Sequence, residues 1–479
     1  MSMGINRAEF RDKMYGCWLG KNIGGTLGAP FEGQQQTNDA TGYTHNSNEP
    51  LPNDDLDLQL IWLRAVQDRG VRAITNQLLG EYWLNFIPPF WNEYGVCKSN
   101  MRVGLIPPLS GEYENARWKH SNGAWIRTEI WACLAPGLPD IAIKYAYADA
   151  SVDHGGGEGT YAAIFIAALE SAAFIISDRE ELLRIALAKI PADCRVARSI
   201  AIVRESYAQG VPWLDARNRV VEDSADLGWF QAPANVAFVI LGWLYGCGDF
   251  GKSITLAVNC GDDTDCTGAT LGALLGILCG GEGIPKEWIE PIGERIITIA
   301  IDRGSIYTLP RTIMELTEQV QRQAEIALLT YSADFTFNDS PTVITEEHLQ
   351  WLADTGAAQE IWAKSPYAVE FDFVHTKVTL DYQREPKVQP GVPFSVTVTL
   401  LNLMPSCQHA DISWQLPEGW QILPAQQQHV SLRHHPPTET VSVTLVPGPV
   451  LTATMRGTLE VTVQGRPTVG LVPLVFIAG

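Results

Sequence analysis

The stretch NCGDDTDCTGATLGALLG, Asn259 to Gly276, sets three carboxylates, Asp262, Asp263 and Asp265, within four positions, and then enters a small, apolar segment too hydrophobic for a surface loop. Upstream, KSITLAVN predicts a helix that ends near Cys260-Gly261, and Thr267 onward begins the next, so the acids occupy a turn at a helix N-terminus. One reading is capping, since Asp at a helix start satisfies free N–H groups and suits the dipole. One cap needs only one or two carboxylates. Three crowded together also suit a hard cation, which prefers oxygen clusters, or a catalytic role.

Working outward, apolar residues recur at three- and four-residue spacing up to about residue 330, as in LDLQLIWLRAVQ, GTYAAIFIAALESAAFII and ANVAFVILGWLYG. Several of these segments are apolar nearly all round and belong inside a multi-helix bundle. Alternating patterns are almost absent there, which predicts a mostly α protein with an all-α domain over residues 1–330. A mixed segment, TEEHLQWLADTGAAQEIW, predicts one or two helices in a linker over 331–368. From about residue 369 to 479, alternating runs such as FSVTVTLLNL, ADISWQLP, ETVSVTLVP and GTLEVTVQG are separated by Pro and Gly turns. Six or seven such strands predict an immunoglobulin-like β-sandwich.

The chain has 479 residues, enough for two or three domains, and a formal charge of −20. From Glu370 onward six Lys or Arg face eight Asp or Glu, so the acidity sits in the helical part. Nucleic acid is a poor partner for such a charge, because affinity for its backbone rests on Lys and Arg. No run of eighteen apolar residues occurs, and the start, MSMGINRAEFRDKMYG, lacks the basic flank and apolar stretch of a signal peptide. The expectation is a cytoplasmic chain with no membrane partner. Nine cysteines, scattered, mostly among apolar neighbours and without a C-x-x-C pair, read as reduced, buried residues, neither a disulfide framework nor a zinc site.

A second acidic cluster lies in LPNDDLDLQLIWLRAVQ, Leu51 to Gln67, where Asp54 and Asp55 follow Asn53 at the start of an amphipathic helix. Capping by Asn53 is again one reading. Two acidic helix starts in one buried bundle repel unless they are separated or bridged, and Mg2+ or Mn2+ held by short oxygen-bearing side chains resolves the conflict. The glycine-rich segment GCWLGKNIGGTLGAPFEG, Gly16 to Gly33, allows close helix packing or a tight turn around a ligand. It lacks the Lys-Ser/Thr ending of a phosphate loop. Its Glu32 is either an exposed loop charge or a site carboxylate. In ASVDHGGGEGTYAAIF, Ala150 to Phe165, His154 is a structural hydrogen-bond partner or lines a cavity with Glu158. Trp83, Trp91, Trp118 and Trp125 pack in the core or line the site, where aromatic faces suit a sugar or nucleoside.

In order, these segments resemble the ADP-ribosylglycohydrolase family. The likeness covers about residues 10 to 330 and rests on Gly16, Gly20, Gly24, Gly28, Pro30 and Glu32; on Asn53-Asp54-Asp55; on Gly123, Ala124 and Arg127 in SNGAWIRTEIWACLAPG; on Ser151 and His154; and on Gly261 through Cys266. It does not cover the β domain. The resemblance implies an all-α fold around divalent cations, Mg2+ in one or two copies or else Mn2+, with Asn53, Asp54, Asp55, Asp263, Asp265 and Cys266 at the metal positions. It implies a water activated by Glu32, Asp54 or Asp55, attacking an N- or O-ribosyl bond, and contacts to substrate from His154, Arg127, Gly123 and Ser151. Three positions depart from the family pattern: Cys266 stands for a ligating Thr, Gly25 for an Asp, and Leu56 for a common Thr. The substrate expected is therefore a glycoside, a nucleoside or an ADP-ribosylated group. A non-catalytic binder of ADP-ribose or a glycan is the reading from another class.

Overall fold

The structure, a computed structural model, describes residues 3–45, 48–302, 308–331, 335–450 and 452–479. The chain divides into two compact units: one runs to Lys98 and resumes over Glu114–Ala363, and the other comprises Ser99–Tyr113 and Lys364–Gly479.

The first unit is helical. The helices that build its site are α1 (Arg7–Gly28), α2 (Asp54–Arg69), α3 (Glu129–Leu134), α4 (Pro139–Asp153), α5 (Glu158–Ala173), α6 (Ala232–Tyr245), α7 (Phe250–Asn259) and α8 (Thr264–Cys279). As their all-round apolarity predicts, α5 is buried over nearly its whole length, α6 from Ala232 to Leu244, and α8 from Thr264 to Ile277.

Helices α1 and α8 lie antiparallel and almost backbone to backbone. A Cβ on Gly16, Gly20 or Gly24 would fall 2.3, 2.0 or 1.9 Å from the carbonyl oxygens of Gly276, Gly272 and Gly268, and one on Gly28 would fall 2.1 Å from that of Thr264. The four-residue glycine spacing thus marks a seam between two helices, with no room for any side chain. It also carries the end of α1 to the start of α8, and so brings Glu32 to Asp263 and Asp265.

Short strands also occur in this unit, where the sequence shows no alternating pattern: β1 (Met3–Asn6) pairs in parallel with β2 (Phe335–Asn338), Met3 opposite Phe335. Helices over Glu346–Ala353 and Gly356–Trp362 pack here too; Trp362 Nε1 donates to Lys189 O at 3.0 Å.

The second unit holds β3 (Ala368–Asp372), β4 (Thr376–Asp381), β5 (Lys387–Val388), β6 (Phe394–Asn402), β7 (Gln408–Gln415), β8 (Gln421–Leu423), β9 (Gln427–Leu432), β10 (Thr438–Val446), β11 (Thr454–Val463) and β12 (Val469–Ala478). They form two five-stranded sheets, ordered β3-β4-β6-β10-β8 and β5-β12-β11-β7-β9, a β-sandwich. Alternation sends Phe394, Val396, Val398 and Leu400 of β6 inward to a core that includes Trp414 and Phe476. The strands beyond the expected six or seven are β3, β4, β8 and the two-residue β5, shorter runs interrupted by charge or Pro. Leu105, Leu109 and Tyr113, from the segment between residues 99 and 113, join the same core.

All nine cysteines are free; six are buried as expected, whereas Cys247, Cys279 and Cys407, at or beyond the ends of their helices and strands, are exposed. No helix among the described residues is long and apolar enough to cross a membrane.

Candidate metal and active site

Two helix starts, those of α2 and α8, and the turn that follows α1 meet in the helical unit. Asn53 caps α2, its Oδ1 accepting the Asp55 N–H at 2.8 Å. The Asn53 Nδ2 lies over Gly25, where a Cβ would sit only 1.8 Å from it. The absence of a side chain at position 25 and the presence of Asn at 53 are therefore one packing solution. Asp54 then faces a cavity, with Oδ2 accepting the Tyr94 hydroxyl at 3.1 Å. Asp55 points into the protein and is fully buried. Asp57 braces the wall, its Oδ2 taking the N–H groups of Ile299 and Ala300 at 2.6 and 2.7 Å.

At the start of α8 the three acids divide their work. Asp262 sits in the left-handed region at φ 71°, an uncommon conformation for a residue with a side chain. Its Oδ1 accepts the Phe230 N–H at 2.7 Å, and its backbone N–H donates to Gln34 O at 2.7 Å. Asp262 is thus a clamp on two loops. Asp263 is fully buried; Oδ2 accepts from Asn122 Nδ2 at 2.6 Å, while Oδ1 has no hydrogen-bond donor, the Asp265 carboxylate being its neighbour. Asp265 Oδ1 is likewise buried and unpartnered. Cys266 Sγ donates to Asp55 Oδ1 at 3.4 Å.

The cavity between these elements has a volume of ≈ 330 Å3 and includes Glu32, Asp54, Glu93, Gly123, Asp263 and Asp265 in its lining. Trp91 and Trp229, 46% and 41% exposed, stand at its mouth. Like charges held close in a partly dry site resist ionisation. Glu32 is pushed up to about 7, first by the Asp265 carboxylate, then by burial and Asp54. Burial, with Asp265 next, lifts Asp54 to about 6. Burial also drives Asp263 well above the carboxylate range and lifts Glu93 to about 7.

Among the described residues, two groups each bring their ligand atoms within 4.8 Å of one another: Asp55, Asp265 and Cys266; and Glu32, Asp263 and Asp265. The partnerless oxygens of Asp263 and Asp265 suit a hard divalent cation, because a buried carboxylate oxygen without a donor costs free energy that a cation repays. The residues present therefore fit the group that the acidic pattern implies.

Other expected contacts lie deeper. Arg127 is fully buried beneath the cavity: Nε donates to Asp149 at 3.0 Å, Nη2 to Asp153 at 2.8 Å, and Nη1 to the Gly123 carbonyl and to Asp153. His154, also buried, has Nε2 3.0 Å from Ser121 Oγ and Nδ1 2.9 Å from Asp153. This Ser-His-Asp order resembles that of a hydrolytic triad, but none of the three lines the cavity, and Ser121 Oγ also donates to Trp118 O at 2.6 Å. Ser151 is spent on Asn76 and Ala148. Glu158 caps another helix through the N–H groups of Arg195 and Val196, each at 3.0 Å. Trp83 and Trp125 belong to the core, and Trp118 packs edge-on against Phe230.

Glu93, Tyr94, Asn122, Trp229 and Phe230 were not singled out from sequence. Asn122 lies within the SNGA motif, which is its sequence signal. The others sit in unpatterned loops or at a short helix start. A larger hollow, ≈ 700 Å3, is lined in part by Asp178, Arg179, Cys247 and Asp249. Asp178 and Asp249 each cap a helix, so that hollow offers no comparable cluster.

A helical scaffold that converges buried carboxylates on a small-molecule-sized cavity defines the class: an all-α unit with an acidic site whose side chains could hold a cation. Comparison narrows the class: the family model described as ADP-ribosylglycohydrolase matches residues 6–324, and the chain belongs to that family. Membership implies a hydrolase of the ADP-ribosyl type. No curated protein matches the chain. Among solved structures, the crystal structure of a FixG-related protein from Vibrio parahaemolyticus is similar over 22% of this chain and 96% of its own, at 12% identity and a TM-score of 0.18, a likeness too slight to bear on fold or function.

Proposed function

We propose that the chain is a divalent-cation-assisted glycohydrolase that cleaves an N- or O-glycosidic bond of ribosyl type. The observation that carries this reading is the pair of partnerless buried oxygens, Asp263 Oδ1 and Asp265 Oδ1, in the wall of a cavity that Glu32 and Asp54 also line. A bound Mg2+ or Mn2+ would be held by these side chains and would polarise the sugar hydroxyls and lower the cost of ionising water. The protein's own groups supply the rest. Glu32, in the cavity lining beside Asp263 and Asp265, is the best placed base to take a proton from the attacking water, through the carboxylate oxygen that does not face the cation. Asp54, fixed by Tyr94, holds negative charge where an oxocarbenium-like transition state develops positive charge. Asp55 lies outside the lining and supports the site from below.

The substrate favoured is an uncharged glycoside or nucleoside. Among the described lining residues there is no Lys, Arg or His, and Arg127, the guanidinium expected to meet phosphate, is committed to Asp149 and Asp153. A diphosphate would therefore depend on the cation alone to offset the acidic field. Trp91 and Trp229 give apolar faces suited to a sugar ring or base.

The test is a panel of nucleosides, aryl ribosides and an ADP-ribosylated peptide, with released sugar read by NMR. Release that stops on chelation and in Asp263→Asn supports the reading, with nucleosides or ribosides turned over ahead of the ADP-ribosylated peptide. No release from any member in the presence of Mg2+ or Mn2+ overturns it.

A further inference from the structure

The two acidic groups are not equivalent. Glu32, Asp263 and Asp265 offer only oxygen, and two of those oxygens are buried without a partner. The other group, Asp55, Asp265 and Cys266, contains a soft sulfur, a poor ligand for Mg2+. Its Asp55 is held by charge: Oδ1 accepts from Cys266 Sγ at 3.4 Å, and Oδ2, which like the Asp263 and Asp265 Oδ1 atoms has no hydrogen-bond partner, lies 3.8 Å from the Lys21 ammonium.

Lys21 is an unusual residue for its position. It stands on α1 one turn before Gly25, within the stretch from Gly16 to Gly28 that is buried throughout. Its side chain is fully buried, with Nζ 2.6 Å from Glu129 Oε1 on α3. Glu129 is held in turn, Oε2 accepting from Gln59 Nε2 at 2.7 Å. A buried ammonium is costly unless paired and hydrogen-bonded. Here Glu129 and Gln59 lock it in place beneath the start of α2, facing Asp55. A dication bound beside Asp55 would meet this fixed positive charge.

We propose that Lys21 takes the place of a second divalent cation, so that the site binds one metal ion, between Glu32, Asp263 and Asp265, while the buried ammonium offsets the charge of Asp55. The proposal rests on the metal-site reading above and adds to it a count and an address.

The full-length chain, stripped with chelator, is titrated with Mn2+, with free Mn2+ followed by EPR and bound metal counted by elemental analysis. One Mn2+ per chain is expected. Asp263→Asn is expected to weaken binding at least tenfold, while Asp55→Asn stays within about threefold of the parent, since a tenfold change corresponds to ~1.4 kcal/mol. Lys21→Met is expected to raise the count to two. Two Mn2+ per parent chain, or equal losses in Asp55→Asn and Asp263→Asn, overturns the proposal. A folded Lys21→Met chain that still binds one overturns the role of Lys21. If Lys21→Met fails to fold, the comparison of Asp55→Asn with Asp263→Asn decides. Absence of any bound Mn2+ sinks the metal-site reading itself, and the proposal with it, an outcome distinct from a count of two.

Discussion

Gly24 and Gly268 meet with no space between their helices: a Cβ on Gly24 would lie 1.9 Å from the Gly268 carbonyl oxygen, and one on Gly268 would lie 2.6 Å from that of Gly24. The obstacle in both directions is backbone, which cannot swing aside as a flexible side chain would. Gly24→Ala is therefore expected to force α1 and α8 apart and to cost about 3 kcal/mol or more, at the upper end of overpacking effects. Because that seam also sets Glu32 beside Asp265, the variant should lose Mn2+ affinity as well as stability. Denaturant unfolding and metal titration of the same preparation check both. Unchanged stability would mean that the seam is looser than its geometry.

Acid strength gives a second expectation, with a sign that runs against common experience. Glu93 and Glu32 are raised to about 7, and Asp54, Asp149 and Asp262 to about 6, burial being the first cause for all but Glu32. A carboxyl whose folded pKa lies above its unfolded value binds more protons when folded, so its stabilising effect is fully present at low pH and is lost as pH rises through the folded value. The metal-free chain should thus gain Tm as pH falls from about 7.5 to about 5, in the window between the usual carboxylate range and these raised values. Asp153 is held low because Arg127 and His154 outweigh its burial, and it acts only below its ordinary 3.8, outside that window. A Tm scan in chelator checks the slope. Glu93→Gln should flatten part of it.

Arg127 yields a third. Its position in the SNGAWIR motif suggests a contact to substrate, but the guanidinium is shared between Asp149 and Asp153 and lies 5.1 Å from the Trp83 ring. Removing one partner from a buried pair leaves the other charges stranded, at a cost of about 3–5 kcal/mol. Arg127→Met should therefore lower unfolding free energy by that order and leave KM for a neutral riboside little changed in the folded fraction. Arg127→Lys should not restore stability, because an ammonium cannot replace a bidentate fork. A large rise in KM with stability intact would instead put Arg127 in contact with substrate.

What could be read in advance followed from local pattern. The glycine spacing, the paired acids at helix starts and the alternation of strands each have a period or an adjacency; the seam and the sandwich lie where expected, and the second acidic helix begins at Thr264, three residues earlier than Thr267. Depth has no such signature. His154 and Arg127 stand at motif positions, yet burial commits both to an internal network, while Asn53 spends its oxygen on a cap. Lys21 is the single charge within the buried half of α1, Gly16 to Gly28, and nothing near it in sequence names its partner, Glu129, 108 positions away. Trp229 and Phe230 reach the cavity through a clamp from Asp262, a link that spans 32 positions and has no sequence period.

Those two tryptophans at the mouth carry the last expectation. Trp91 and Trp229 are 46% and 41% exposed, far more than a core residue, and both line the cavity. Large exposed aromatics on an otherwise acidic rim cost solvation without adding to the core, a sign that their faces serve a ligand. Aromatic contacts contribute about 0.5–1.5 kcal/mol beyond area burial, which corresponds to roughly two- to twelvefold in binding. Trp91→Ala and Trp229→Ala should each raise KM for a nucleoside or riboside by that factor, with kcat and Tm nearly unchanged. Steady-state kinetics on the two variants separates this from a structural role: a fall in Tm with KM intact would return both residues to packing. Because the contact is to a sugar or base and not to phosphate, the rise in KM should also persist at high salt, where screening would erase an electrostatic effect.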